Sequence, residues 1–184
     1  MQEQVYSDVD IRYFSKDYCK IPMTFLSTGY IPAGTVVGQK ADGYGHKVRR
    51  TTLTNNAAAG ANELVVADAT LFKVGDVVGL MKADGSAVEN LGAVTNIIVA
   101  DNKVVVTTAV TAAHAAGSYA YVADGSQKAL AILSEPVIDE GIEVVANVYI
   151  GGCFNENMVS GLDTIARTDL GARTVTGILI VPGC

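Results

Sequence analysis

The chain has 184 residues, a formal net charge of −6, and 49% hydrophobic against 17% charged residues. That length suits one ordinary domain or two small ones, and the apolar content excludes global disorder. The acidic balance excludes general binding to phosphate backbones, which depends on Lys and Arg, so no direct nucleic-acid partner is expected.

Residues 1–20 are polar with scattered apolar positions, Val5, Tyr6, Val9, Ile11, Tyr13 and Phe14. Val9, Ile11 and Tyr13 alternate, but the whole segment fits neither a helix face nor a strand. It reads as an arm that orders on a partner, or else as a terminal strand of its own domain. Met1-Gln2-Glu3 opens no basic and apolar leader, which points to synthesis in the cytoplasm.

From Ile21 to Gln39, Pro32 and Gly34 mark a turn and Thr35, Val36 and Val37 a strand. Asp42-Gly43 and Gly45 then form a loop before 47–53. The basic cluster Lys47, Arg49 and Arg50 is too short for a nucleic-acid patch and reads as a solvated strand end or protein contact.

Between 55 and 122 the segments ELVVADATLF, KVGDVVGLMKADG, AVTNIIVADNKVVVTTAV and SYAYV are each bounded by turn residues, at spacings typical of a small barrel or sandwich. Ala100–Lys103 reads as the turn of a hairpin. Gly75–Gly79 echoes Gly34–Gly38, a turn-plus-strand device used twice. Val104–Ala123 contains no Asp, Glu, Lys or Arg over about the length of a membrane span. Its Thr107, Thr108, Thr111, His114 and Ser118, with the β-branched front half, favour a strand followed by a small-residue loop, so no membrane partner is expected.

The stretch Asp124–Phe154, DGSQKALAILSEPVIDEGIEVVANVYIGGCF, organises the rest. It reads as two strands broken at Pro136. In the second, Ile142, Val144, Ala146, Val148 and Ile150 share one face, which is expected to be core, while Glu143, Val145, Asn147 and Tyr149 share the other. Further on, Ser160 or Asp163 caps a short helix with Leu162, Ile165, Ala166 and Leu170, ended by Gly171; a last strand follows over 174–180.

Chemistry is sparse. No nucleophile-base order, phosphate-cradling glycine loop or zinc-protease word occurs, so no catalytic residue, cofactor or metal is expected. His46 and His114 read as loop residues, and Cys153 as a structural thiol without a partner base. Asp124 and the group Asp139, Glu140 and Glu143 read as solvated turns, and Asn155-Glu156-Asn157 as a turn. Cys19, Cys153 and Cys184 lack metal or redox spacing; the sequence leaves open whether two of them are bridged.

Two patches carry a family resemblance. DGSQKALAIL, then a break, then VVANVYIGG with a following Phe-Asn pair, together with IPAGTVVGQ from Ile31 to Gln39, resemble the head decoration (capsid cement) proteins of lambda-like tailed phages. The resemblance implies a mainly β fold, a small β-barrel or β-tulip-like host domain with a short helix. It implies a homotrimer on the outer surface of the expanded head, with the major capsid protein as partner. An N-terminal arm would add a strand to the capsid sheet, assigning capsid contact here to Val5, Tyr6, Val9, Ile11 and Tyr13. In the family, the first strands lead almost directly to the Asp-Gly-Ser-Gln word, whereas here a long stretch intervenes. The expected organisation is therefore an arm over 1–20, a discontinuous host domain over 21–53 plus 123–184, and an inserted β-barrel-like module over 54–122. A rival reading makes the chain an outward-facing receptor- or glycan-binding module of a virion, with the insert contacting a host surface ligand.

Overall fold

The computed structural model describes residues 19–26, 29–138, 141–171 and 178–181, of which 178–181 by backbone alone. Its strands are β1 (Cys19–Leu26), β2 (Val36–Gln39), β3 (Gly45–Lys47), β4 (Arg50–Thr52), β5 (Glu63–Val65), β6 (Val77–Met81), β7 (Glu89–Ile98), β8 (Lys103–Val106), β9 (Tyr119–Val122), β10 (Ala131–Leu133), β11 (Glu143–Asn155) and β12 (Ile178–Val181). One short helix, α1 (Thr164–Gly171), follows β11. The protein is mainly β, and the chain divides into two units: residues 1–48 with 128–184, and residues 49–127.

In the first unit the strands run in the order β1-β3-β2-β10-β11-β12, and pairing of β1 with β11 closes the first five into a barrel. Period-two alternation then sorts side chains to its two faces. Phe25, Val37, Ala131, Leu133, Ala146 and Val148 fill the interior. Their sequence neighbours Val36, Ile132 and Tyr149 point outward, where Phe154, Val159 and the Ala166 and Leu170 side of α1 bury them. The alternation expected for β11 is present from Val144 to Ile150, with one correction. Ile142 precedes the strand and is 60% exposed, because the face ends where pairing with β1 ends, at Leu26 opposite Glu143. On the other face Tyr149 is buried by the helix layer, while Val145 and Asn147 are exposed.

β1 begins at Cys19, two residues inside the segment expected as arm. Its Pro22 hides the strand from a propensity reading, yet Pro is tolerated here because β3 reaches β1 only at Phe25 opposite Gly45. Gly45 is required at that crossing: a Cβ there would lie 2.6 Å from both Met23 Sδ and Phe25 Cε1. The helix is capped as anticipated, by Asp163, whose side chain accepts from Ala166 N–H at 2.7 Å. Asp169 of α1 accepts from Ala129 N–H at 3.0 Å, tying helix to barrel.

The second unit is a curled six-stranded half-barrel in the order β4-β9-β6-β7-β8-β5. Its edges meet at the Leu53–Val66 bridge, where Ala67 N–H donates to Thr52 O at 2.8 Å. Inside are Leu53, Leu64, Phe72, Leu80, Leu91 and Val104, with the alternate residues Val78, Val106, Ala120 and Val122. The hairpin between β7 and β8 turns through Val99–Asp101 and Asn102, whose left-handed φ of 50 reverses the chain. The repeated turn device is also present: Thr35 N–H bonds Pro32 O, and Asp76 N–H bonds Lys73 O, each with a positive-φ glycine. The unit begins at Arg49 and ends at Gln127, five residues outside the 54–122 boundaries, because β4 pairs with β9 and so belongs to this sheet.

Two substitutions test these cores by denaturant titration. Phe25→Ala empties the barrel interior and should cost about 3–5 kcal/mol. Gly79→Ala is expected to cost about 1–3 kcal/mol by overpacking, since its Cβ would lie 2.3 Å from Cζ of the cross-strand Tyr121, which is buried.

Candidate functional site

The two resembling patches come together in space. IPAGTVVGQ supplies β2, ALAIL supplies β10 and VVANVYIGG supplies most of β11. These are three consecutive strands of the barrel, with Ala131 opposite Val37, Ile132 opposite Val36 and Tyr149, and Leu133 opposite Val148. Tyr149 packs edge-on against Phe154 at 5.1 Å between ring centroids, and Lys20 Nζ sits 4.6 Å from the Tyr149 ring centre. The arm residues Val5, Tyr6, Val9, Ile11 and Tyr13 lie outside the described residues, as do Asp139, Glu140 and Cys184.

The first word, Asp124-Gly125-Ser126-Gln127, folds on itself. Asp124 Oδ1 accepts from Ser126 N–H at 3.0 Å and from its hydroxyl at 2.6 Å, while Gly125 N–H donates to Gln127 Oε1 at 2.8 Å. Asp124 is not the solvated turn residue expected. Its side chain is 20% exposed and receives Arg49 Nη2 at 3.4 Å. Arg49 in turn forks onto Asp76, at 2.7 and 3.1 Å. The expected solvated cluster is therefore corrected: Arg49 is largely buried, held by carboxylates far apart in sequence, and Arg50 is buried against the Tyr119 ring, 5.6 Å from its centre. Burial opposes charge on Asp124, but the Ser126 hydrogen bonds and the Arg49 guanidinium outweigh it and hold its carboxyl below the ordinary value of 3.8.

His114 is a second correction. It is 2% exposed, with Nε2 3.3 Å from Glu89 Oε2, and its backbone bridges Ala57 in both directions. Burial raises the Glu89 pKa, and hydrogen bonds from Thr111, His114 and Ala112 more than offset this, so it titrates below 4.5. An Ala-rich sequence context gives no sign of this burial; Glu89 lies at the start of β7, 25 residues away in sequence. His46 Nδ1 lies 3.0 Å from Lys47 O. Cys19 is exposed and Cys153 half-buried, opposite Leu179. Glu143 accepts from the Tyr44 hydroxyl, and the Asn155 side chain accepts from Asn157 N–H at 3.0 Å, forming the expected turn.

One cleft of about 360 Å³ opens in the first unit where β1 diverges from the β2–β3 hairpin, lined by Ile21, Met23, Thr24, Gln39, Leu130 and Ile150. Its lining holds no ionisable side chain. Among the described residues no group of three His, Cys, Asp or Glu side chains is gathered to hold a metal ion, and no helix is long and apolar enough to cross a membrane. Comparison of the chain with protein-family models, with curated proteins and with solved structures gives no match.

The ionic pairs of the second unit generate a pH dependence. Asp124 and Glu89 have folded pKa values below their ordinary ones, so they stabilise the unit above those ordinary values. That stability is lost as pH falls below 4.5 and then 3.8 through the folded values. Urea titrations should show a falling midpoint over this range, with a shallower fall in Asp124→Asn and Glu89→Gln. At neutral pH, Arg49→Met leaves two carboxylates without their cation and should cost roughly 2–3 kcal/mol, below the figure for a fully sealed pair.

Proposed function

We propose that this protein is a decoration protein of a tailed-phage head, which binds the outside of the expanded capsid as a homotrimer and stabilises it against internal DNA pressure. The observation that carries this reading is the convergence of the resembling words on β2, β10 and β11. Words separated by a whole second unit in sequence form one continuous wall of a closed barrel. Chance similarity of short turn-and-strand words has no reason to put them side by side.

The role is structural and involves no reaction. Each arm, through Val5, Tyr6, Val9, Ile11 and Tyr13, adds a strand to a sheet of the major capsid protein. Three arms joined in one trimer make the second and third contacts effectively intramolecular, so individually weak strands give a stable clamp. The second unit is then an elaboration of a cement protein that is made in the host cytoplasm and carried on the virion.

The test is co-sedimentation with expanded, undecorated heads of the cognate phage and with unexpanded precursor heads. The expected result is saturable binding to expanded heads alone, at the stoichiometry of three-fold sites. Deleting residues 1–14 should leave a folded trimer that no longer sediments with heads. Absence of binding to either kind of head overturns the proposal.

A further inference from the structure

At one end of the second unit a cleft of about 380 Å³ opens between the β6–β7 turn, which supplies Lys82 and Asp84, and the loop leading into β9, which supplies Ala113, Ala115, Ala116 and Ser118. Sites for small ligands span about 300–1,000 Å³, and the mouth of a β-barrel is one of their usual places. The position follows from the alternation of the two strands. Val78 and Leu80 of β6, with Ala120 and Val122 of β9, belong to the core of the half-barrel. Period two carried one step further brings Lys82 and Ser118 to that same side. Register agrees, because Met81 is opposite Tyr119 and the next pair is Lys82 with Ser118. The interior column therefore ends in a cation and a hydroxyl instead of another apolar layer.

Ser118 is the group that points to a ligand. It is 4% exposed and lines the cleft. Its backbone is used within the protein, the N–H donating to Ala115 O at 3.1 Å and the carbonyl accepting from Leu53 N–H at 2.7 Å. Its hydroxyl makes no hydrogen bond among the described residues, and it is not one of their sealed unpaired atoms, which are Arg49 Nε and His114 Nδ1. The hydroxyl of a side chain more than nine-tenths buried thus opens to the cleft with its donor and acceptor unused.

Both lips are fixed before anything binds. On the turn, Asp84 Oδ1 accepts from Ser86 N–H, Lys82 N–H donates to Ser86 O and Gly85 N–H to Lys82 O, each at 2.9 Å. The facing loop is pinned by the two backbone bonds between His114 and Ala57, by Ala116 N–H donating to Asn56 Oδ1 at 2.9 Å, and by the buried His114 ring against Glu89. Lips held in this way lower the ordering cost of binding.

We infer that this cleft binds a neutral saccharide ring. Lys82 offers an ammonium donor, Asp84 a carboxylate acceptor and Ser118 a hydroxyl that serves as either, a set that neighbouring sugar hydroxyls can pair with. The methyl groups of Ala113, Ala115 and Ala116 suit the C–H face of the ring. One cation and one anion two residues apart leave no net charge to select an ionic ligand. This binding is independent of the capsid role and gives the second unit an activity of its own.

The test follows amide nitrogen–proton correlation spectra of the full-length protein during titration with the methyl glycosides of glucose, galactose, mannose and N-acetylglucosamine. Glycine and inorganic phosphate serve as charged probes. Expected is a saturable response to at least one sugar, with a Kd of about 1 mM for a single ring, confined to the amides of 82–86 and 113–118. Glycine and phosphate should give none. Ser118→Ala removes a hydroxyl that makes no bond among the described residues, and Asp84→Asn keeps an acceptor for Ser86 N–H, so both should melt like the parent protein. Each should weaken sugar binding about fivefold or more, and Val74→Ser, exposed just before the opposite end of β6, should not. Retention on agarose carrying the sugar that binds assigns the site to a glycan, and binding in solution alone assigns it to the free sugar; either upholds the inference. No response to any of the four sugars, a response at other amides, or unchanged sugar affinity in both cleft variants overturns it. So does a stronger response to glycine or phosphate than to the sugars, which would make Lys82 and Asp84 the charge partners of an ionic ligand.

Discussion

Closure of the barrel depends on β10, a strand of three residues wedged between β2 and β11. Leu130 N–H donates to Val37 O, Leu133 N–H to Thr35 O and Gly34 N–H to Leu133 O, while Ser134 N–H reaches Asn147 O on the other side. All three residues are buried, Ala131 and Leu133 into the barrel and Ile132 beneath the helix layer. With both edges bonded and both faces covered, a shift of one residue would exchange the interior and exterior sets together. β10 therefore fixes the register of the segments before and after the second unit, and α1 finds its place only because Ile132 and Tyr149 are turned toward it.

Insertion of a second unit between β3 and β10 is compatible with that constraint because its own ends are close. Val122 N–H donates to Arg49 O at 3.0 Å, and Arg49 forks between Asp76 and Asp124. Chain that leaves at Val48 is thus returned near its point of departure, which is the condition under which insertions are tolerated. The cost is two carboxylates and a guanidinium taken largely out of water, offset by their mutual pairing and by the Ser126 and Lys73 N–H groups.

Much of the fold was legible where alternation is strict and turns are chemically marked. β11, the β7–β8 hairpin, both glycine turns and the Asp163 cap follow from local rules. β1 was not legible, because Pro22 and a mixed pattern conceal a strand whose outer edge is mostly unpaired. Burial of Arg49 and His114 was equally hidden, since each depends on carboxylates brought in by tertiary structure, Asp76 and Asp124 for one and Glu89 for the other. The boundaries of the second unit were set too narrowly because composition changes at Asn55, whereas the sheet already begins at Arg50. The exposure of Ile142 was hidden as well: it continues the core periodicity by sequence and leaves the core because its pairing partner strand has ended.

The antiparallel pairing of β4 with β9 also has a mechanical side. Tension along the chain between Val48 and Lys128 would pull the two ends of the second unit apart at the same edge, opening the pairs from Arg50–Tyr121 inward one at a time rather than shearing them together. In such an unzipping geometry the outermost links meet the force first, and here these are the Arg50–Gln127 hydrogen bond and the Arg49–Asp124 ion pair. A charged clasp at the mouth of the zipper would let the chain yield there while the interior of the half-barrel stays closed.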